Sequence, residues 1–330
     1  MIIAEIGQAH DGSLGMAHSF IDAFADTGVD AIKFQTHIAE AESSIFEKFR
    51  INFSYEDKTR YDYWKRMEFT ENQWISLKKH CDEKKIEFIS SPFSVKAVEL
   101  LEKIGVKRYK IGSGEVNNYL MLEAIKKTKK PIILSSGMSS PDEIQETINF
   151  LNKSKKDISI LHCTTSYPTI PKDWNLFEIP KMIKKFNCDI GFSDHSGNIF
   201  ACLAATSLGA KILEFHVTFD KFMFGPDSSS SLTIDQVKNL VIGVNQIKES
   251  LKKSEPKNIK NISTLKDMFG KSLCVNKKLF KGHKITFSDL ESKKPGKMGI
   301  PAKDFESIIG MKLNSNLEKW DFLNKKNLSK

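Results

Sequence analysis

The chain has 330 residues, 40% hydrophobic and 28% charged, proportions of a soluble globular protein large enough for one big domain plus a small one. No uncharged apolar run approaches the roughly 18 residues that a bilayer span needs. The opening MIIAEIGQAHDGS carries Glu5 and no basic stretch, so it reads as a strand rather than a signal peptide.

The net charge of +9 sits at one end: residues 256–330 hold 17 lysines and 7 acids, net +10, against −1 for everything before them. Those lysines are scattered among Leu, Ile and Phe, with no helix-turn-helix, RNP or zinc-knuckle pattern. They point to a solvated surface and a domain boundary rather than to nucleic acid. Five cysteines without a CxxC pair (Cys81, Cys163, Cys188, Cys202, Cys274) suit buried thiols in a reducing compartment, by default the cytoplasm.

Along the chain one unit recurs eight times: a short β-rich run, a polar turn, then a helical segment. The runs are MIIAEIG (1–7), AIKFQTH (31–37), EFISSPF (87–93), RYKIGSG (108–114), PIILSSG (131–137), ISILHCT (158–164), CDIGFSDH (188–195) and ILEFHVT (212–218). Helical patterns between them include Met16–Thr27, Glu71–Lys84, Val95–Ile104, Pro141–Asn152 and Phe200–Leu208. Pro141 followed by Asp142 and Glu143 suits a first helical turn. Strands alternating with helices predict parallel βα units, and eight of them an α/β fold of the (β/α)8 TIM-barrel type. Residues 38–69, rich in Glu, Phe, Tyr and Arg, break the rhythm and are expected to overhang the C-terminal mouth of the barrel. The barrel domain is expected over 1–251. The polar KKSEPKNIKN marks 252–269 as a linker. Residues 270–330, with SLCVNK, KITFSDL and a Pro-Gly turn in KKPGKMGIP, read as a compact β-rich domain.

In a parallel barrel the strand ends face the catalytic mouth. Here they supply Glu5, Lys33, Gln35, Ser90 and Ser91 from the first three strands. The middle strands add Lys110, Ser113, Glu115, Ser135 and Ser136. The last three give Thr164, Thr165 and Tyr167, then Ser193, Asp194 and His195, then His216, with Asp227 beyond. Lys33 and Lys110 lie within apolar runs, where burial is costly unless an anion is near, and so point to an anionic ligand; a side chain snorkelling to the rim is the alternative. Small hydroxyls and Gly-flanked backbone N–H groups suit phosphate oxygens, although any one hydroxyl could simply cap a turn. His195 in GFSDHSG and His216 in ILEFHVT close consecutive strands ahead of Asp227. Together they suggest a mixed N/O site for Mn, Fe, Co or Zn, less so Mg, able to polarise a carbonyl. Each histidine alone would be read as packing. Glu5 and Glu115 could handle water or merely pair with Lys33 or Lys110.

The motifs AEIGQAHDGS, KFQTH, SSPFS, YKIGSGEVNNY, ILSSGM, LHCTTSYP, GFSDHSG, EFHVT and GPD resemble the sialic acid synthase family, the bacterial N-acetylneuraminate synthases and their pseudaminic and legionaminic acid relatives. The KKPGKMGIP region is similar to the antifreeze-like (SAF) domain of those enzymes. The resemblance implies a transferase that condenses phosphoenolpyruvate with an open-chain N-acylated hexosamine, N-acetylmannosamine first, to a nonulosonic acid and phosphate. By motif it implies that His195 and His216 bind a metal, usually Mn, and that Lys33, Ser91, Lys110, Ser113, Ser135 and Ser193 hold phosphoenolpyruvate. Tyr167 and Gln35 would line the substrate space and Asp227 would bond a sugar hydroxyl. Glu115 would position the water that attacks C2, and Glu5 would steer the aldehyde or the water.

The same resemblance implies a domain-swapped homodimer whose SAF domain caps the partner's barrel. Lys294 stands where the family places a sugar-reading arginine, and a lysine lacks the planar fork. Ala9-His10 and Thr165 are further departures. They leave the metal histidines untouched and bear on the sugar, so a 2,4-diacetamido-hexose, as for pseudaminic or legionaminic acid, or a 6-phosphorylated sugar are alternatives. Two more distant readings are a DAHP/KDO8P-type synthase, which lacks the GSGEVNNY, GPD and SAF context, and a non-catalytic sugar- or polyanion-binding barrel.

Overall fold

In the computed structural model, which describes residues 1–151, 157–252 and 259–329, eight parallel strands close into a barrel in chain order. They are β1 (Ile2–Gly7), β2 (Ala31–Thr36), β3 (Glu87–Pro92), β4 (Tyr109–Ile111), β5 (Ile132–Ser135), β6 (Ile158–Cys163), β7 (Asp189–Asp194) and β8 (Leu213–His216), with β8 pairing back onto β1. The helices of this unit are α1 (Leu14–Ala25), α2 (Ala39–Glu42), α3 (Arg60–Met67), α4 (Glu71–Glu83), α5 (Val95–Ile104), α6 (Tyr119–Thr128), α7 (Pro141–Leu151), α8 (Glu178–Lys185), α9 (Phe200–Ser207) and α10 (Ile234–Ser250). This is the predicted (β/α)8 TIM barrel. The expected end of α7 at Asn152 lies outside the described residues.

The sequence makes these elements by simple means. Strands covered on both faces read as apolar runs. Alternate residues Ile2, Ala4, Ile6, Ile32, Phe34, Phe88, Tyr109, Ile132, Leu134, Ile158, Ile160, Leu213 and Phe215 join the helices in the main core. The other parity faces inward. There Ile3, Ala31, Ile89, Ile133, Leu161 and Ile212 cluster as an apolar plug inside the barrel. Helix starts are capped by side chains: the Ser94 hydroxyl accepts from the Ala97 N–H, and Thr70 and Gln73 form a capping box at α4. At the end of α5, Gly105 takes φ 82°, a left-handed cap that a glycine adopts freely.

Strand β4 is shorter than the expected RYKIGSG, ending at Ile111, because Gly112 leads directly into the tight turn Ser113–Glu115. The irregular interval 38–69 is not a plain loop. It holds α2 and α3, and α3 starts from a capping box between Thr59 and Asp62. Ala39, Tyr63, Trp64 and Met67 give it a small core of its own.

The chain divides into two compact units, Met1–Lys252 and Lys253–Lys330. In the second, β9 (Ser272–Val275) pairs antiparallel with β10 (Leu290–Lys293), and β11 (Lys312–Leu313) with β12 (Leu328–Ser329). They enclose Leu273, Val275, Leu279, Ile285 and Leu323. The linker expected over 252–269 is corrected in part. Helix α11 (Ile259–Phe269) occupies its second half, where apolar residues recur at three- and four-residue spacing behind the polar KKSEPK; residues 253–258 lie outside the described set. No helix among the described residues is long and apolar enough to cross a membrane.

Candidate active site

Moving two residues along each strand from the apolar plug exchanges hydrocarbon for chemistry. From Ile3, Ala31, Ile89, Ile133, Leu161 and Ile212 that step reaches Glu5, Lys33, Ser91, Ser135, Cys163 and Glu214, all lining one cavity of about 580 Å³ at the C-terminal end of the barrel. The same cavity is lined by Gln35, Lys110, Ser113, Glu115, Tyr167, Ser193, His195, His216 and Asp227. Every barrel residue to which the family resemblance assigns a role is therefore brought together. Four other residues expected at strand ends do not line the cavity, because they have the opposite parity: Ser90 bonds Thr36, Ser136 donates to the Leu161 carbonyl, Thr164 donates to the Asp173 carbonyl, and Asp194 bonds Ser196. Lys294 belongs to the second unit, where its ammonium lies 5.2 Å from the centre of the Phe269 ring.

The cavity floor is a charged quartet. Lys33 and Lys110 are each 3% exposed. Lys33 pairs with Glu5, donates to the Ser91 hydroxyl at 3.3 Å and stands 3.7 Å from Glu214. Lys110 donates to Glu214 at 3.0 Å. Burial alone would raise the pKa of Glu214, but Lys110 and Lys33 pull it down to about 2. Burial opposes the charge on Lys33 too, and Glu214 and Glu5 more than offset it, raising its pKa. Two carboxylates thus face two ammonium groups, and the quartet is formally neutral within itself. Glu5 and Glu214 already balance Lys33 and Lys110, so the burial of these lysines does not by itself point to an anionic ligand.

What the floor still offers is donors. The Ser135 hydroxyl is buried with no hydrogen-bond partner among the described residues. Ser193 donates to Glu214 at 3.3 Å, and the Ser113 hydroxyl accepts the Gly137 N–H at 3.1 Å. Gly137 has no space for a side chain: an added Cβ would lie 2.5 Å from the Thr165 hydroxyl and 2.9 Å from both Ser113 and Cys163. Spare ammonium and hydroxyl protons around a close backbone approach match phosphate or carboxylate oxygens. Burial raises the pKa of the Cys163 thiol, so that group stays neutral.

At the mouth, His195 Nδ1 lies 3.0 Å from the Thr164 carbonyl oxygen, which can only accept, so Nδ1 carries the proton and Nε2 the lone pair. Burial, with His216 beside it, pushes the His195 pKa down to about 3, leaving the ring neutral. Tyr167, whose pKa burial raises, keeps its proton and donates to that Nε2 at 3.0 Å. The two imidazole centroids are 5.4 Å apart, and Asp227 stands 3.9 Å from His216 Nδ1. Among the described residues no three His, Cys, Asp or Glu side chains gather as a metal site. Two adjacent imidazoles nevertheless fit the protein's share of an open site whose remaining positions go to substrate and water. Glu115 has its pKa raised by burial, while Asn118 donates to it at 2.7 Å.

The sequence model of the NeuB family matches residues 20–256. The chain belongs to the NeuB family. It is 35% identical over 320 residues to the N,N'-diacetyllegionaminic acid synthase of Campylobacter jejuni, covering 94% of each chain. Identity to the human N-acetylneuraminate-9-phosphate synthase is 32% over 326 residues, covering 97% of this chain and 90% of that one. A crystal structure of the N-acetylneuraminic acid (sialic acid) synthetase of Leptospira borgpetersenii, in complex with citrate, superposes with a TM-score of 0.71 at 34% identity, over 80% of this chain and 89% of that one. The protein is accordingly an enzyme, a synthase of the NeuB family.

The cavity of this NeuB-family synthase also includes residues not singled out from the sequence, Glu214 and Arg50 among them. Glu214 carries a usable signal: it lies two before His216 on the same strand, hence on the same face. Arg50 carries none, because the interval that holds it has no period. His10, one of the departures from the family pattern, is a packing residue: it accepts from the Gly12 N–H at 3.1 Å and sits 4.7 Å from the Phe69 ring. Thr165, another departure, lines the cavity.

Proposed function

We propose that the chain joins phosphoenolpyruvate to an open-chain N-acylated hexosamine, giving a nonulosonic acid and phosphate, with N-acetylmannosamine as the acceptor. The observation that carries this reading is the cavity's division of labour: unspent hydroxyl and ammonium donors on the barrel floor, the unpartnered Ser135 hydroxyl among them, and two imidazoles at the mouth. Lys33, Ser91, Lys110, Ser113, Ser135 and Ser193 hold the phosphate and carboxylate of the enol. Gln35, Tyr167 and Asp227 face the sugar, with Glu5 fixed by the hydrogen bond from Gln35 at 2.9 Å.

His195 and His216 would hold a divalent metal, Mn before Mg, Co, Fe or Zn, and when bound it supplies Lewis-acid polarisation of the sugar aldehyde. The protein's own groups do the rest. With the enol and aldehyde held together, C3 of phosphoenolpyruvate bonds to the aldehyde carbon, and water adds at C2. Glu115, whose burial moves its pKa toward neutrality, takes a proton from that water. The C2–O bond to phosphate then breaks, leaving the 2-keto group. Of the two water protons, one ends on the new hydroxyl and one on phosphate, so the step balances.

A second reading, a 2,4-diacetamido-hexose as acceptor, is favoured by the 35% identity to the Campylobacter legionaminic acid synthase. The domain-swapped dimer, the cytoplasmic location and a sugar-facing role for Lys294 belong to the same proposal. The test is phosphate release from phosphoenolpyruvate across a panel of N-acyl hexosamines, phosphorylated and not, with EDTA and with restored Mn. Release with N-acetylmannosamine that EDTA stops and Mn restores is the expected result. No release with any member of the panel overturns the reading.

A further inference from the structure

We infer that Arg50 is a positioning residue for the sugar side of the cavity, acting through Tyr167 and Asp227 together; the inference rests on the condensing reading above. Arg50 comes from the interval between β2 and α4, Tyr167 from the segment after β6, and Asp227 from the segment after β8. The Arg50 guanidinium carbon lies 4.5 Å from the centre of the Tyr167 ring, and its Nη2 donates to Asp227 Oδ1 at 3.3 Å. Each of those partners in turn addresses an imidazole. The Tyr167 hydroxyl is 3.0 Å from His195 Nε2, and the other Asp227 oxygen is 3.9 Å from His216 Nδ1. One guanidinium thus contacts a side chain beside each of the two histidines.

The geometry requires an arginine. A planar guanidinium can lie against an aromatic face and donate in its own plane at once, whereas an ammonium cannot do both. Asp227 also sits between two nitrogen groups, bonded to Arg50 on one side and just beyond bonding distance of His216 on the other. Without Arg50 that carboxylate loses the hydrogen bond that holds it off His216, and the Tyr167 ring, stacked on His195, loses its guanidinium partner. Both changes would disorder the wall that receives the sugar while leaving the floor, where Lys33, Lys110 and Ser135 lie, as it is. The Arg50 side chain is 47% exposed, so its removal opens no core.

Steady-state kinetics of Arg50→Ala and Arg50→Lys in the full chain, with the best hexosamine of the panel, test the inference. The expected result for Arg50→Ala is a KM for the sugar raised roughly tenfold, with the KM for phosphoenolpyruvate within about twofold of wild type and the thermal midpoint unchanged. Arg50→Lys should recover little of the loss. In an Asp227→Asn background the Arg50→Ala effect should shrink, since one of the two partners has already lost its charge. Sugar and phosphoenolpyruvate KM values that rise together, or neither moving, overturn the positioning role while leaving the condensing reading standing. Absence of wild-type turnover with every hexosamine overturns both.

Discussion

Taking the Glu214 carboxylate away leaves Lys33 and Lys110, each 3% exposed, sharing the single remaining anion of Glu5. Breaking a buried ionic group by removing one member costs about 3–5 kcal/mol, because the uncompensated charge stays behind. Glu214→Gln should therefore lower the unfolding free energy read from urea melts by an amount in that range. The sign of the pH dependence follows from the same group. Its folded pKa, about 2, lies below the value of an unfolded glutamate, so its stabilisation is complete at neutral pH and is lost as pH falls from about 4.5 toward 2. Acid unfolding followed by circular dichroism should be less steep over that window in Glu214→Gln than in wild type. Ser135 behaves oppositely. Its hydroxyl has no partner among the described residues, so Ser135→Ala should leave the unfolding free energy within about 0.5 kcal/mol of wild type while weakening phosphoenolpyruvate binding by about 1–2 kcal/mol, a contrast that calorimetric titration and urea melts read separately. At this scale the sequence was legible where a residue closed a strand, as His195, His216 and Ser135 do. Glu214 lies inside its strand rather than at the end, so its only signal is the alternation of faces, which brings Glu5, Lys33, Ser91, Ser135 and Glu214 to one level.

Among the elements, the eight strands could be read from the text because a strand covered on both faces must be apolar, and each observed strand lies within its expected run. Their ends were less legible: β4 stops at Ile111 because of backbone geometry at Gly112, which no hydrophobic pattern reports. The interval 38–69 was visible only as an interruption. Its α3 is short and carries charged residues among its aromatics, and what holds it is a set of ring contacts rather than a periodic face. Trp64 stacks on His37 at 3.8 Å and lies beneath Arg60 at 4.0 Å, within the small cluster that includes Tyr63 and Met67. Because that cluster is separate from the main core, Trp64→Ala should loosen the interval locally. The expected outcome is faster proteolytic cleavage within residues 43–58 and a higher sugar KM, with the global unfolding midpoint shifted far less than by Trp74→Ala, which empties the main core and should cost about 3–5 kcal/mol. Equal shifts of the global midpoint for both variants would show instead that the interval and the barrel unfold as one.

For the molecule as a whole, the break in charge near residue 256 lies close to the division of the compact units after Lys252, because the lysines are concentrated in the second unit. Each unit closes a hydrophobic core of its own. The barrel's extends from Ile2 to Val244, and that of the second unit from Leu273 to Leu328. A domain with its own core is able to fold alone. The floor residues Lys33, Lys110, Ser135 and Glu214, together with His195 and His216, all belong to the first unit. A chain ending at Lys252 should therefore unfold cooperatively and bind phosphoenolpyruvate with a Kd within about threefold of the full chain. If Lys294 serves the sugar as the family resemblance implies, the same truncation should abolish condensation while sparing that binding. In the full chain, Lys294→Arg should then change the KM of the sugar more than that of phosphoenolpyruvate. Calorimetric titration of the truncated barrel, beside phosphate release from both lengths of chain, separates the two contributions. Loss of phosphoenolpyruvate binding on truncation would show that the second unit supports the floor of the barrel, and full condensing activity in the truncated barrel would remove Lys294 from the reaction.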